Sequence, residues 1–410
     1  MKKPTLFFAL IILLASIAAC NKEKNAEPDL TPKPIELTAR AHEVIGSSNQ
    51  FGIELFTRTA VDEDGNLMLS PLSASVALTM ALNGSGGDTY EQMREMLGYP
   101  ADLTLTEINQ AYKGLVSQLL TVDPKVTLTL ANALFYRLGF PVKPPFLNTM
   151  TTDFDAHVEG LNFDLPSAID VINGWASDNT NGKIPQVITE ITPEAVMFLM
   201  NALYFKGDWT YQFDVSETQN RPFYLDNGSQ ISVPTMASNV MAMRHFGSGF
   251  GAMELPYGQT NFSMVVIVPN TTLNDFYPQF TPEVWQEITD GLDGQTQRVK
   301  TMVTMPKFEF DYEKMLNDQL QSLGMVDAFL PNGANFSGIS DQDIFISFVK
   351  QNTFIKVNEE GTEAAAVTTI GFETVSLPPS FDANKPFIFA IRERTTNTLL
   401  FIGSVMNPVE

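Results

Sequence analysis

Hydrophobic residues recur at helical spacing in the first half of the chain. Val44, Ser48, Phe51 and Leu55 lie three or four residues apart, which predicts an amphipathic helix. A serine followed at once by a proline is typical of a helix start, because serine caps backbone N–H groups and proline fits the first turn. Further helices are predicted from such a pair, Ser70-Pro71, to residue 84, and at 107–120, 168–179 and 313–323.

Apolar and alternating runs of strand length dominate the second half. The run 196–205 is apolar throughout and predicts a strand buried on both faces, whereas 126–135 alternates. Because helices precede most strands and no regular strand–helix–strand repeat occurs, the pattern favours an α+β fold with large sheets. Other strands are predicted at 66–69, 231–236, 251–256, 262–268, 299–310, 345–357, 387–393 and 399–405.

One segment, 359–380, fits neither class although it lies between two strongly apolar strands. It has no helical period, and loops of about 20 residues are uncommon in compact domains unless they are functional. It contains small and β-branched residues, few charges and no proline before Pro378, which is the composition of a strand. Natural proteins usually avoid exposing such a strand.

The two faces of this segment differ when it is read as a strand. Every second residue from Thr362 to Ile370 is small or apolar, so that face can pack against a core. The other face begins with Glu363, whose charge can remain in water. The sequence therefore predicts two states, an exposed loop and a strand inserted into a sheet.

The N-terminus has the pattern of a targeting segment. Lys2 and Lys3 precede an apolar run at 5–19, too short to span a membrane comfortably. The run ends in small residues followed by Cys20, which resembles a bacterial lipobox. A polar, proline-rich stretch follows and predicts an extended tether. The predicted organisation is a lipoprotein signal peptide at 1–19, lipidated Cys20 and a flexible tether at 20–37, and a folded domain at 38–410.

Composition excludes several kinds of partner and site. The 47 acidic residues outnumber the 25 Lys and Arg residues, and the formal net charge of −22 makes nucleic acid an improbable partner. A single cysteine excludes an internal disulfide framework and thiolate metal clusters. The three histidines, His42, His157 and His245, are scattered and follow no metalloprotease motif. We expect no metal and no cofactor.

Motifs for catalysis are absent as well. The chain contains no G-x-S-x-G elbow, phosphate-binding loop or EF-hand loop. The glycine-rich stretch 247–251 lacks phosphate-loop spacing and predicts a turn. Because no nucleophile is accompanied by a recognisable base, we expect that the protein is not an enzyme.

Several motifs make the chain similar to the serpins, the serine protease inhibitor family, over about residues 38–410. The segment 359–380 resembles their hinge and reactive-centre loop. The resemblance implies one domain with three β-sheets, eight or nine helices and an exposed reactive-centre loop. The other motifs are Asn66 to Ser73, Asn173 to Trp175, Thr180 to Ile184, Asn201 to Trp209, Met305 to Phe308, Ala383 to Phe387 and Leu400 to Pro408.

The resemblance also implies the site residues. Counting seventeen residues from the hinge glutamate, and counting back from Ser-x-Pro-Pro, both place the scissile bond at Val375–Ser376. The hinge would comprise Glu359, Gly361, Thr362, Ala364, Ala365 and Ala366. Ser70, Ser73, Asn201, Trp209 and Gln351 would form the polar shutter and breach that gate sheet opening. Many animal serpins have a histidine where this chain has Gln351, which suggests a gate insensitive to pH.

The implied activity is suicide inhibition, in which a protease attacks Val375 and the cut loop inserts into the sheet with the enzyme attached. A small β-branched residue suits elastase-like enzymes, and 359–380 contains no Lys or Arg for trypsin-like ones. Chymotrypsin-like or subtilisin-like targets remain alternatives, the former through Phe372. Heparin activation is not expected, because the helix 107–120 carries only Lys113.

Three interpretations follow. The first is a monomeric inhibitory serpin, anchored as a lipoprotein at the outer membrane, the cell surface or the periplasmic face. The second is a non-inhibitory serpin that acts as a binding or storage module, against which the small hinge residues argue. The third is a nutrient-binding lipoprotein that shares only the anchor, which leaves the hinge and the C-terminal motifs unexplained.

Overall fold

Most helices come early in the chain and most strands come late, as the hydrophobic pattern predicts. Thr38 caps the first helix by accepting a hydrogen bond from the backbone of Ala41, and Ser70 caps the second by accepting one from Ser73. The helices are α1 (Ala39–Ala60), α2 (Pro71–Leu82), α3 (Gly87–Met96), α4 (Leu105–Leu119), α5 (Pro144–Asp153), α6 (Ser167–Asn179), α7 (Leu273–Phe276), α8 (Pro282–Asp293) and α9 (Asn317–Ser322).

The structure is a computed structural model that describes residues 30–362 and 379–410. Thr31–Glu410 is one unit by its internal contacts, and Met1–Leu30 is a second unit of which only Leu30 is described. Outside the described residues lie the predicted signal peptide, Cys20, the hinge alanines Ala364, Ala365 and Ala366, and the bond Val375–Ser376.

Fifteen strands are present in the described part of the chain. They are β1 (Leu67–Leu69), β2 (Val126–Arg137), β3 (His157–Leu161), β4 (Met197–Asp208), β5 (Gln219–Tyr224), β6 (Gln230–Gly247), β7 (Phe250–Pro256), β8 (Phe262–Pro269), β9 (Val299–Pro306), β10 (Phe308–Met315), β11 (Lys350–Val357), β12 (Gly361–Thr362), β13 (Ser380–Asp382), β14 (Phe387–Glu393) and β15 (Thr398–Val405).

The strands form three sheets, two of which share β6. The large sheet has the order β10–β11–β12–β4–β2–β3. The first part of β6 pairs with β5 and β9, and β13 lies beyond β9. The last part of β6 pairs with β7, and that sheet continues through β8, β14 and β15 to β1. Every residue of β14 and β15 is buried, so this pair lies in the middle of the hydrophobic core.

Two predicted elements differ from the structure near the end of β9. The strand predicted at 299–310 is interrupted at Lys307, directly after a proline that cannot donate to the ladder. The next strand, β10, then continues to Met315 because it pairs residue for residue with β11. The helix predicted at 313–323 is therefore limited to α9. Cross-strand pairing outweighs the helical pattern there.

The strand predicted at 345–357 is also shorter than expected. β11 begins at Lys350, which lies opposite Met315 at the end of β10. Residues 345–349 therefore have no partner strand on that side and remain outside the ladder. In the described part of the chain, no helix is long and apolar enough to cross a membrane.

Candidate functional site

The large sheet is open between its two central strands. β4 and β11 are neighbours only through β12, which is two residues long. At β12, Gly361 lies opposite Asp208, and Thr362 lies opposite both Gly207 and Val357. Beyond this hinge end, the described residues form no ladder between β4 and β11. The sheet therefore has a ready position for one more strand.

The hinge residues are packed tightly into this position. Thr362 is 4% exposed, and Gly361 is buried with φ 151°. A Cβ atom added to Gly361 would lie 2.2 Å from the carbonyl oxygen of Gly207, which is backbone and cannot rotate away. A side chain at this position would therefore push the hinge out of the sheet.

Trp209, which is predicted to belong to the breach, connects the end of β4 to the hinge. Its indole Nε1 donates to the carbonyl of Asn358 at 2.9 Å, and its backbone N–H donates to the carbonyl of Glu360 at 2.8 Å. The indole stacks on Tyr257 with ring centroids 4.4 Å apart. The Tyr257 hydroxyl is 2.8 Å from Thr362 Oγ1, and burial raises the pKa of Tyr257, so this hydroxyl stays protonated.

The Glu359 side chain fixes the segment just before the hinge through two contacts. One of its carboxylate oxygens forms a 2.9 Å ion pair with Lys307, and the other accepts a 2.7 Å hydrogen bond from the Thr218 hydroxyl. The Glu359 side chain is 5% exposed. Burial by itself raises the pKa of Glu359, but the hydrogen bonds from Thr218 and Lys307 outweigh it and keep this pKa below its ordinary value.

Acid should release this contact. Because the pKa of Glu359 is lowered in the folded state, its stabilising contribution is present above the ordinary carboxyl pKa and is lost as the pH falls below it. We expect the wild-type chain to be more stable than Glu359→Gln at pH 7 by about 1 kcal/mol, since Lys307 is partly exposed. Thermal melts of both proteins should converge below about pH 4, and a constant difference would contradict the interpretation.

Ser70 and Gln351 form a closed pair beneath the sheet. The Ser70 backbone N–H donates to Gln351 Oε1 at 2.9 Å, and Gln351 Nε2 donates back to the Ser70 carbonyl at 2.9 Å. The Ser70 hydroxyl donates to the carbonyl of Leu400. This arrangement ties α2 to β11 through a side chain that does not titrate, as predicted for Gln351. Whether it gates opening of the sheet stays a prediction.

Asn201 lies apart from this pair. Its Nδ2 donates to Oδ1 of Asn132 at 2.6 Å, and Asn132 in turn donates to the carbonyl of Phe154. No hydrogen bond joins Asn201 to Ser70 or Ser73, which differs from the expected single polar cluster. The reason is the cross-strand register, which places Asn132 of β2 directly opposite Asn201. Among the described residues, buried Asn201 Oδ1 has no hydrogen-bond partner.

A cavity of about 350 Å³ borders Ser70, Asn201 and Gln351 but not the hinge residues. It occupies the open part of the sheet between β4 and β11 and is also lined by residues of α2 and α6. The lower half of β4, Met197–Asn201, is mostly half-exposed because it borders the cavity, whereas the sequence predicted burial on both faces. The residues that line the cavity include Ser70, Ser73, Trp175, Asn201, Phe348 and Gln351.

The described residues contain no cluster of three or more His, Cys, Asp or Glu side chains suited to a metal ion. The site instead offers a strand position, filled by none of the described residues below β12, between the backbones of β4 and β11. Its chemistry is therefore that of an acceptor for an extended peptide, because such a strand would satisfy both edges at once.

Comparison with known proteins identifies this architecture. The family model described as "Serpin (serine protease inhibitor)" matches residues 46–408. The chain belongs to the serpin family. Its relatives include an uncharacterised serpin-like protein of Methanosarcina mazei, which is 31% identical over 389 residues covering 90% of this chain and 89% of that protein. A leukocyte elastase inhibitor of Xenopus laevis is 33% identical over 359 residues, covering 84% of this chain and 93% of that protein.

Solved structures agree with the family assignment. The native state of tengpin, a thermophilic serpin, superimposes with a TM-score of 0.81 and 31% sequence identity, covering 92% of this chain and 96% of that one. The three sheets and the nine α-helices of the described residues match the expected serpin fold. Serpins that inhibit proteases act as suicide substrates and are not enzymes in the usual sense.

Three contact residues of this serpin were missed at the level of sequence. Tyr257, Thr218 and Asn132 carry the hydrogen bonds to Thr362, Glu359 and Asn201. Each is an ordinary polar residue in or beside a strand. For Asn132 the only available signal is a polar residue that interrupts an otherwise apolar stretch of β2.

Proposed function

We propose that this serpin is a suicide-substrate inhibitor of elastase-like serine proteases, and that it traps them by inserting its reactive-centre loop into the large sheet. The observation that carries the proposal is β12. Gly361 and Thr362 already occupy the position between β4 and β11, and below them no strand of the described residues fills this position. The loop would need only to continue the strand that its hinge has begun.

The register of β12 supports the predicted scissile bond. Continuing the antiparallel pairing of Thr362 with Gly207 brings Val375 opposite Glu194, just beyond the first residue of β4. On the other side, continuing the pairing with Val357 brings Val375 opposite Ile344. At about 3.3 Å per residue, this insertion carries Val375 roughly 40 Å from the hinge end. A protease attached to Val375 would therefore travel the full length of the sheet.

The same register gives the inserted loop a polar contact. It brings Thr368 opposite Asn201 on one side and opposite Gln351 on the other. The Thr368 hydroxyl could then donate to Asn201 Oδ1, the buried acceptor that has no partner among the described residues. Insertion would remove the cost of that unpaired acceptor, which supports filling of the sheet as the favoured final state.

The reaction itself is that of an interrupted substrate. The protease serine attacks the carbonyl carbon of Val375, the bond to the Ser376 nitrogen breaks, and that nitrogen leaves as an amine after accepting a proton. We expect the ester between Val375 and the protease to persist, because insertion drags the enzyme to the far end of the sheet and distorts its active site before water attacks the ester. Val375 supports an elastase-like target, as does the relative named leukocyte elastase inhibitor.

We further propose that the serpin is a monomer displayed on a membrane through a lipidated Cys20. The lipobox-like sequence and the position of the single cysteine support this assignment. The domain would then lie at the outer membrane, the cell surface or the periplasmic face, where it could meet a foreign protease.

A gel assay tests the inhibitory function. The chain from residue 21 is mixed with an elastase, and we expect a complex that resists boiling in detergent together with a fragment that begins at Ser376. Val375→Arg provides a matched control, since it should lose the complex with elastase and form one with trypsin. Clean cleavage without a complex for both enzymes would overturn the trap mechanism and favour a non-inhibitory binding or storage role.

A further inference from the structure

A short N-terminal segment is bound to the body of the protein by side-chain amides. This segment, Lys33–Glu36, is called the strap here; it falls within the predicted flexible tether at 20–37, but its backbone is hydrogen-bonded to the domain. The Lys33 N–H donates to Asn261 Oδ1 at 3.0 Å, and Asn261 Nδ2 donates to the Lys33 carbonyl at 2.7 Å. Gln118 makes the same two-way contact with the backbone of Glu36, with both distances 2.9 Å.

Between these contacts, the strap is held by its middle residue. The Ile35 N–H donates to the Thr395 hydroxyl at 3.2 Å, and the Ile35 side chain is 6% exposed. Pro32 and Pro34 flank Lys33, and each disfavours a helical conformation of the residue before it. The strap is therefore predisposed to the extended conformation that these contacts require.

The amide that receives the strap is oriented by buried neighbours. Asn261 is fully buried, and its Nδ2 also donates to a carboxylate oxygen of fully buried Glu393. That carboxylate accepts backbone hydrogen bonds from Thr395 and Thr396, which fixes its position. The Asn261 amide is thus oriented to meet a peptide backbone, and Glu393 acts on it as a positioning residue.

The turn that contains Asn261 also contacts the hinge. Asn261 lies four residues after Tyr257, whose hydroxyl contacts Thr362 and whose ring stacks on Trp209. The turn between them is closed by a 2.8 Å bond from the Tyr257 N–H to the Phe262 carbonyl. Its Gly258 N–H donates to the carbonyl of Asp208, the residue opposite Gly361. One short, hydrogen-bonded turn therefore lies between the strap and the hinge.

We infer that Asn261, Thr395 and Gln118 form a binding site for an extended peptide backbone with an apolar residue in the middle, and that the strap occupies this site to stabilise the docked hinge. Occupancy holds the turn that carries Tyr257, and Tyr257 holds Thr362. Release of the strap then loosens the hinge. A pull on the N-terminal segment, or a competing peptide, would act on the hinge through this site. The inference does not depend on the inhibitory function, since it concerns the uncleaved protein alone.

Hydrogen exchange of the full chain tests the inference with a pair of variants. Lys33→Pro removes the single N–H that Asn261 Oδ1 accepts, whereas Lys33→Ala changes the same exposed side chain and keeps that N–H. We expect Lys33→Pro to speed exchange in the strap and also in the segments 207–213 and 358–362, by about fivefold or more. Lys33→Ala should match the wild-type protein. A synthetic peptide of residues 30–38 should restore protection in Lys33→Pro.

A second variant keeps the test decisive if one proline does not release the strap. Ile35→Asp places a charge where the apolar side chain is buried and forces release. Faster exchange of the strap together with faster exchange of the hinge segments would support the inference. A released strap with unchanged exchange at 207–213 and 358–362 would overturn it, because the strap would then only fasten the N-terminus to the surface.

Discussion

Thr362→Arg is expected to leave a protein that elastase cleaves but that no longer traps the enzyme. Thr362 is 4% exposed and lies between β4 and β11, where a guanidinium group would have no partner. Burying an unpaired charge costs several kcal/mol, and each 1.4 kcal/mol slows insertion about tenfold. If insertion is slowed by about 100-fold or more, hydrolysis of the acyl-enzyme becomes faster than insertion. The protease would then be released.

The measurement is the fraction of cleaved serpin that is found in the boiling-resistant complex. Thr362→Ser keeps the hydroxyl that contacts Tyr257 and should trap as the wild type does, whereas Thr362→Val tests whether that hydroxyl matters. All three variants keep Val375–Ser376 and should be cut at similar rates. If Thr362→Arg formed as much complex as the wild type, the insertion mechanism would be wrong for this protein.

Gln351→Leu is expected to destabilise the uncleaved protein. Leucine cannot replace the two hydrogen bonds to Ser70, so the Ser70 N–H would be left buried without a partner and the Ser70 carbonyl would keep only its bond from the Ala74 N–H. The unpaired N–H costs about 1–3 kcal/mol and the lost bond to the carbonyl about 1 kcal/mol more, which predicts a loss of about 2–4 kcal/mol. Thermal unfolding of the uncleaved protein should then begin roughly 2–5 °C lower.

Asn352→Leu is the matched control for that variant. Asn352 is the next residue of β11, and its side chain makes one exposed hydrogen bond to Glu313 rather than a buried contact. We expect a change within about 0.5 kcal/mol. Equal losses for the two variants would show that the Ser70–Gln351 pair has no special role and that β11 is merely sensitive to leucine.

Local patterns were the predictable part of this fold. Ser70 and Pro71 mark the start of α2 through capping chemistry that is contained in two residues. The predicted boundaries of β10 and β11 were wrong because the length of each strand depends on its pairing with the other. Met315 stays in a strand only because Lys350 lies opposite, thirty-five positions later in the chain. No local hydrophobic pattern contains that pairing, since tertiary contacts override propensity.

The candidate site likewise has a part that could be predicted from the sequence and a part that could not. The hinge was visible because small residues alternate on one face, and Gly361 proves to lie where any side chain would strike the backbone of Gly207. The partners of the site residues were not visible. Lys307 and Glu359, or Asn132 and Asn201, are separated by more than fifty residues and become neighbours only through strand order. A sequence shows which groups need partners but not which ones they find.

The two residues of β12 have a kinetic consequence. A free loop that searches for its place in a sheet must first give up conformational entropy, because its end has to be brought to the right register before any contact repays that loss. Here Gly361 and Thr362 are already in register with both neighbouring strands. In the proposed mechanism that entropic cost is met when the protein folds. After cleavage, the loop would extend β12 residue by residue between β4 and β11. The rate of insertion would then depend on how fast β4 and β11 separate.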